Sequence, residues 1–283
     1  GKIDATDVIF ATHWSTVETG IALRSNAREL MYFVQDFEPY FYPMGSQYIQ
    51  AENTYRAGLY AICSGPWCAD LIQRNYRAEA DYFEFPIDGS IYHPDIDRPF
   101  RTGGGRVIYF AKPDMPRRCF ELGLEALTHL KKQRPDVQIT LFGSNAIKSM
   151  RLPFSGEVLG LAPTLTDLAN AYRRADVGMA FSPTNPSLTP YEMMACGLPV
   201  VDLDRGDSAI NYGGRTDIAL LADPRPEVMA AQISALLDDA AERKQRSRLG
   251  LELTARLPTE EGMARRIETL ILQRLARTAA GDQ

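Results

Sequence analysis

The residues of this 283-residue chain best equipped for chemistry lie between Phe181 and Asp202. Read as strand end, loop, short helix and next strand, the run places the amides of Ser187, Leu188 and Thr189 at a helix N-terminus. There unpaired N–H groups and the helix dipole favour a phosphate. Glu192 follows one turn later, where a carboxylate can accept hydrogen bonds from two adjacent ribose hydroxyls. Amides and acid together outline a cradle for a nucleoside diphosphate.

Two cations sit where such a cradle needs them. Lys112 stands at the carboxyl end of a predicted strand, 106–111, and Arg117 at the start of a predicted helix, 117–132. From there they can neutralise a diphosphate and stabilise a leaving nucleotide. Arg118 either joins them or solvates the helix surface. Gly143 and Gly160 close two further strands. Each either lets a ligand approach the sheet edge or is only a turn residue. In the N-terminal third, His13 and Trp14 follow one predicted strand and Gln35 and Asp36 the next, which makes them acceptor-side candidates. Asp36 can orient or polarise an acceptor hydroxyl. His13 either meets the donor sugar or phosphate or is a structural hydrogen bonder. The aromatic run Phe37, Tyr40, Phe41 and Tyr42 suits sugar stacking or a buried core equally.

The elements that must hold these residues alternate. Strands are predicted at 7–12, 29–35, 59–63 and 81–85, with helices at 16–24, 47–57 and 66–74, and this pattern implies a mainly parallel, doubly wound α/β sheet. Pro and Gly punctuation at 86–94 and 103–105 marks a linker. A second Rossmann-like unit follows, with strands at 106–111, 137–142, 157–160, 176–181, 199–203 and 217–221 and helices at 117–132 and 166–174. Helices at 227–238, 241–254 and 260–278 end the chain.

Composition narrows the function. Apolar residues make up 45% of the chain, enough for one or two cores, and a net charge of −5 disfavours nucleic acid as the main partner. With three histidines, and four cysteines lacking ligand spacing, the thiols are expected to be reduced and packed and no metal site is expected. No apolar run is long enough to span a bilayer, so the expected compartment is cytoplasmic. A first residue of Gly leads to the expectation of a piece of a longer chain.

Glu192-x-x-Ala-x-Gly197-x-Pro199-Val200-Val201 resembles the donor-site signature of retaining GT-B glycosyltransferases of family 4. That resemblance implies two Rossmann-like domains facing a cleft, acceptor on the first and donor on the second. The expected domains are 1–94, apparently truncated, 104–258, and a helix at 259–283 packing back across both. Lys112 and Arg117 match the family's arginine and lysine, and the strand-end backbone at Gly143, Gly160 and Leu161 would hold the base. Thr184 stands where the family's earlier glutamate is usual, and Asn185-Pro186-Ser187 replaces Gly-Phe-Gly. The wording around Phe33–Gly45 and Tyr109–Leu127 is similar to a narrower, WsaF-like branch, the rhamnosyltransferases of surface-layer glycan and rhamnan or O-antigen assembly. Resemblance to that branch implies dTDP-β-L-rhamnose as donor, a growing oligosaccharide or lipid-linked glycan as acceptor, retention by front-face attack, and neither metal nor cofactor. The last helix, with Arg265, Arg266, Arg274 and Arg277, could touch an anionic membrane, although packing on the protein suits its glutamates better. Two alternatives stay open: a non-catalytic nucleotide- or glycan-binding module, and a sugar-nucleotide epimerase, for which the cleft lacks acid and base residues.

Overall fold

The computed structural model describes residues 5–95 and 105–281. Residues 1–4 and the Gly103–Gly104 part of the glycine run lie outside the described residues. The chain divides into two compact units, residues 1–86 with 258–283, and residues 87–257. The division falls at Pro86/Ile87, so the punctuated segment 87–95 belongs to the second unit.

The first unit is a four-stranded parallel sheet in the order β1 (Thr6–Ala11), β2 (Ala27–Val34), β3 (Tyr60–Ser64), β4 (Ala80–Phe83). Its connections are α1 (Trp14–Ala22), α2 (Ser46–Thr54) and α3 (Pro66–Tyr76). All five residues of β3 are buried, as expected of a central parallel strand covered on both faces. The C-terminal helix α9 (Glu260–Gly281) returns to this unit. Its Leu270 joins the buried cluster of Met31, Tyr60, Ile62 and Phe83, with Met263, Ile267 and Ile271 packed alongside. Arg274 of α9 pairs with buried Glu29 at 2.9 Å and lies over the Tyr60 ring at 5.3 Å. Arg265 pairs with Glu261 on the same helix, Arg266 donates to the Tyr82 carbonyl at 3.4 Å and Arg277 lies 3.9 Å from Glu79, so all four arginines weighed for a membrane have partners within this unit.

The second unit has six parallel strands, β5 (Arg106–Phe110), β6 (Gln138–Phe142), β7 (Glu157–Gly160), β8 (Val177–Met179), β9 (Val200–Leu203) and β10 (Leu220–Ala222). Their order is β10-β9-β8-β5-β6-β7. The chain winds outward from β5 to β7, then returns through α5 (Leu165–Arg174) and winds the other way from β8 to β10. The winding therefore reverses between β5 and β8, the place where open α/β sheets hold ligands at their carboxyl ends. The helices are α4 (Phe120–Gln133), α5, α6 (Thr189–Ala195), α7 (Pro226–Asp238) and α8 (Ala240–Thr254). On α4, Gly123 lets the helix lie against Tyr109 of β5, since a Cβ there would come within 2.3 Å of the ring.

Two elements start three residues later than the sequence reading places them. The helix expected from 117 begins at Phe120, because Pro116–Arg118 form a separate 3-10 turn closed by Cys119 in a left-handed conformation, φ 49°. The strand expected at 217–221 is Leu220–Ala222. Asp217 precedes it in an exposed loop, paired with Arg215 at 2.6 Å.

Candidate functional site

In the second unit, the loops leaving β5 and β8 flank the reversal point, and they carry the residues singled out for a diphosphate. Lys112 follows β5, mostly buried, with its ammonium 3.6 Å from Asp114. Arg117 lies half-buried in the 3-10 turn rather than at a helix start. Arg118 does not solvate a helix surface. It is buried, and its guanidinium donates to the carbonyls of Phe181, at 3.4 Å, and Asn185, at 3.5 Å. A cation from the β5 loop thus fastens the β8 loop.

That second loop is held from several sides. Ser182 N–H donates to Asp202 Oδ1 at 2.6 Å, and Thr184 and Asn185 are buried. Ser187 is half-buried, Leu188 exposed, and Thr189 opens α6. Pro190 in the first turn removes one amide donor, so the phosphate-facing role expected of Ser187, Leu188 and Thr189 rests on fewer N–H groups than an unbroken helix start would offer. Asp202 is fully buried. It also accepts from Leu203 N–H (2.8 Å) and the Tyr212 hydroxyl (2.8 Å), and burial raises its pKa to about 6 despite those donors.

Glu192 lies on α6, half-buried, and its Oε2 accepts from the Tyr172 hydroxyl at 3.4 Å. Burial pushes its pKa up, while the hydroxyls of Tyr92 and Tyr172 pull it back. The strand-end glycines have a local explanation. Gly143, at φ 109°, gives its N–H to the Gly160 carbonyl (2.8 Å), and a Cβ there would strike the Phe110 ring at 2.7 Å. Gly160, at φ 69°, would strike Asn145. The Leu161 amide is already bonded to Asn145 Oδ1 at 3.1 Å, which removes it as a donor to a base, and its side chain is exposed. The turn reading of both glycines is therefore the one with direct contacts behind it.

In the first unit, His13 caps α1. Its Nδ1 accepts from Ser15 N–H (3.3 Å), and Thr16 Oγ1 answers by accepting from His13 N–H (3.3 Å). Ser15 Oγ also lies 2.8 Å from the same Nδ1. Asp36 is buried, with Oδ1 accepting from Phe37 N–H at 2.8 Å. Glu38 links the two loops and was not singled out by sequence. It accepts from Trp14 N–H (2.6 Å) and the Tyr32 hydroxyl (2.9 Å), and its pKa is raised first by burial. A lone carboxylate within a run of aromatics is the signal that could have identified it, because such a group survives only when bonded. The aromatic run divides: Phe37 is buried against Tyr55 (5.2 Å) and Tyr76 (5.9 Å), while Tyr40 and Phe41 are exposed.

The second unit thus carries Lys112, Arg117, Glu192 and the 184–189 loop, its two loops tied through Arg118, while the first unit sets His13 and Asp36 around Glu38. Among the described residues, no cluster of three or more His, Cys, Asp or Glu side chains offers a metal site. Also among them, no helix is long and apolar enough to cross a membrane.

Comparison with known proteins places these groups in a family. The model described as "WsaF, C-terminal domain" matches residues 105–234, and "WsaF, N-terminal domain" matches residues 2–63, together more than half of the chain. The O-antigen biosynthesis protein RfbC of Myxococcus xanthus is 32% identical over 267 residues, which cover 90% of this chain and 20% of RfbC. The chain therefore spans about a fifth of the length of that relative. Among solved structures, sucrose-phosphate synthase from Thermosynechococcus elongatus superposes with a TM-score of 0.74 at 19% identity, covering 95% of this chain and 74% of the synthase. Anabaena Alr3699/HepE, in complex with UDP and glucose, gives 0.68 at 15% identity, covering 97% and 77%. At these identities the likeness speaks to the fold.

Proposed function

The chain belongs to the family of WsaF-like GT-B glycosyltransferases, and on that premise we propose that it transfers rhamnose from dTDP-β-L-rhamnose to a growing bacterial surface polysaccharide, with retention and without a metal. The observation that carries the donor half of this reading is the reversal of strand order between β5 and β8, flanked by Lys112 on one side and the 184–192 segment on the other. In this reading Lys112 and Arg117 neutralise the diphosphate, the amides of Ser187–Thr189 meet its oxygens, and Glu192 takes the 3′-hydroxyl, the one free hydroxyl on the deoxyribose of dTDP. The departing phosphate accepts the acceptor's proton, which requires a pocket that makes the diphosphate a good leaving group. His13 and Asp36 serve the acceptor side. The O-antigen biosynthesis relative from Myxococcus supports a glycan acceptor, and in this proposal that acceptor is lipid-linked and met at the inner face of the membrane. Other catalytic domains in a longer chain fit the same picture.

Thr184 favours a second reading. Its side chain is buried where the family usually carries a carboxylate, which suits a module that binds the nucleotide without turning it over. Calorimetric titration with dTDP, UDP and GDP tests the donor site. Selective dTDP binding, measurably weakened in Glu192→Ala and Lys112→Ala, is expected, and absence of binding to all three would sink the donor reading. Turnover of dTDP-rhamnose with a rhamnan acceptor then separates enzyme from binding module.

A further inference from the structure

The segment leading out of the first unit ends in a buried tyrosine aimed at the donor-site carboxylate. Asp88 builds the turn that delivers it: its Oδ1 accepts from Ser90 N–H (2.9 Å) and the Ser90 hydroxyl (2.6 Å), and its carbonyl accepts from the amides of Ile91 (3.1 Å) and Tyr92 (2.9 Å). Arg173 of α5 then clamps the segment, donating to the Ile91 carbonyl at 2.6 Å and the His93 carbonyl at 2.8 Å, while Asn170 accepts a third bond at 2.9 Å. With three of its donors so engaged, this planar fork fixes the backbone on either side of Tyr92.

Tyr92 is 5% exposed, and its ring lies nearly parallel to that of Tyr172, centroids 6.3 Å apart. Its hydroxyl is buried without a well-formed hydrogen bond among the described residues, yet it lies within electrostatic reach of Glu192, whose charge is second only to burial in raising the tyrosine's pKa. A buried hydroxyl left without a partner is costly, and folds keep one where a moving group or a ligand completes it. Glu192 is that group. Its Oε2 already takes the Tyr172 hydroxyl, and the Tyr92 ring lies beside that of Tyr172.

We propose that Tyr92, delivered by the Asp88 turn and clamped by Arg173, is a positioning residue that orients Glu192 for the sugar ring of the donor nucleotide. This rests on the reading of Glu192 as a ribose contact. A residue that acts through a carboxylate loses its effect when the carboxylate is gone, and a residue that merely holds up the fold does not.

The experiment is a double-mutant cycle read by calorimetric titration of the full chain with dTDP. Tyr92→Phe, which keeps the ring and removes only the hydroxyl, is expected to weaken binding about fivefold. Arg173→Ala should weaken it at least as much, and Tyr92→Phe should cost nothing further in a Glu192→Ala background. Wild-type affinity in Tyr92→Phe, or the same loss with and without Glu192, would overturn the proposal while leaving the ribose contact standing. If Glu192→Ala itself binds dTDP like wild type, the donor-site reading fails, and the positioning role fails with it.

Discussion

Asp202 and Glu192 are both carboxylates held away from water, and their partners separate a fastening from a binding group. Asp202 takes two amides and a phenol, so nothing remains for a ligand, and its pKa of about 6 is a cost of burial. A folded pKa above the ordinary 3.8 means that the folded state holds this proton more tightly. The contribution is present in full below about pH 4 and is lost as pH rises through about 6, and over that window it amounts to about 3 kcal/mol. Asp202→Asn keeps the acceptor oxygen, and Tyr212 can turn its hydroxyl to accept. Urea unfolding of wild type and variant at pH 4 and pH 7 should therefore show the variant gaining relative stability at pH 7. Glu192 is the opposite case, with a raised pKa and only tyrosine hydroxyls facing it. If the ionised form takes the deoxyribose 3′-hydroxyl, the advantage of wild type over Glu192→Gln in dTDP affinity, about tenfold at pH 7.5 for a bond to a charged acceptor, should shrink towards one as pH falls through that raised value. Because both proteins share the titration of the diphosphate, their ratio isolates the carboxylate.

At the level of elements, the best test of how α9 is held is the buried Glu29, which takes Arg274 at 2.9 Å and the Thr278 hydroxyl at 3.0 Å. Arg274→Ala strands that charge and should cost about 3 kcal/mol in chemical unfolding, while Glu29→Gln combined with Arg274→Met should cost clearly less, since no ion is then left unpaired. Elements defined by local pattern were legible in the sequence. The apolar runs near 106–111, 137–142 and 199–203 are β5, β6 and β9 to within a residue or two, and the periodic apolar positions of 260–278 are the buried face of α9. What stayed hidden depends on distant partners. The late start of α4 goes with the left-handed Cys119, where the Tyr109 hydroxyl takes the carbonyls of Cys119 and Phe120 from a strand ten residues back. Arg118 finds its acceptors more than sixty residues away, and Glu38 reaches Trp14 across 24 residues. No window short enough to show periodicity contains both ends of such contacts. The cap at His13 was missed for another reason, since histidine is not among the usual capping residues and only the reciprocal bond from Thr16 reveals it.

At the scale of the molecule, the second unit is continuous in sequence, residues 87–257, and the first is not. A fragment spanning 87–257 contains both loops of the reversal point, Glu192, and the Asp88–His93 turn. It should bind dTDP within about threefold of the full chain, because a rigid local site needs little beyond its own unit. Deleting 258–283 instead strips α9 from the face formed by Met31, Tyr60, Ile62 and Phe83, and hydrogen exchange should then show β2–β4 losing protection while β5 and β8 keep theirs. The discontinuity also orders events in time. On a ribosome, the strands of the first unit emerge before the second unit, yet their covering helix is translated only after the whole second unit has had the chance to fold. Those strands thus wait for a helix translated after the second unit, and for that interval their apolar face is the one a nascent-chain chaperone would find.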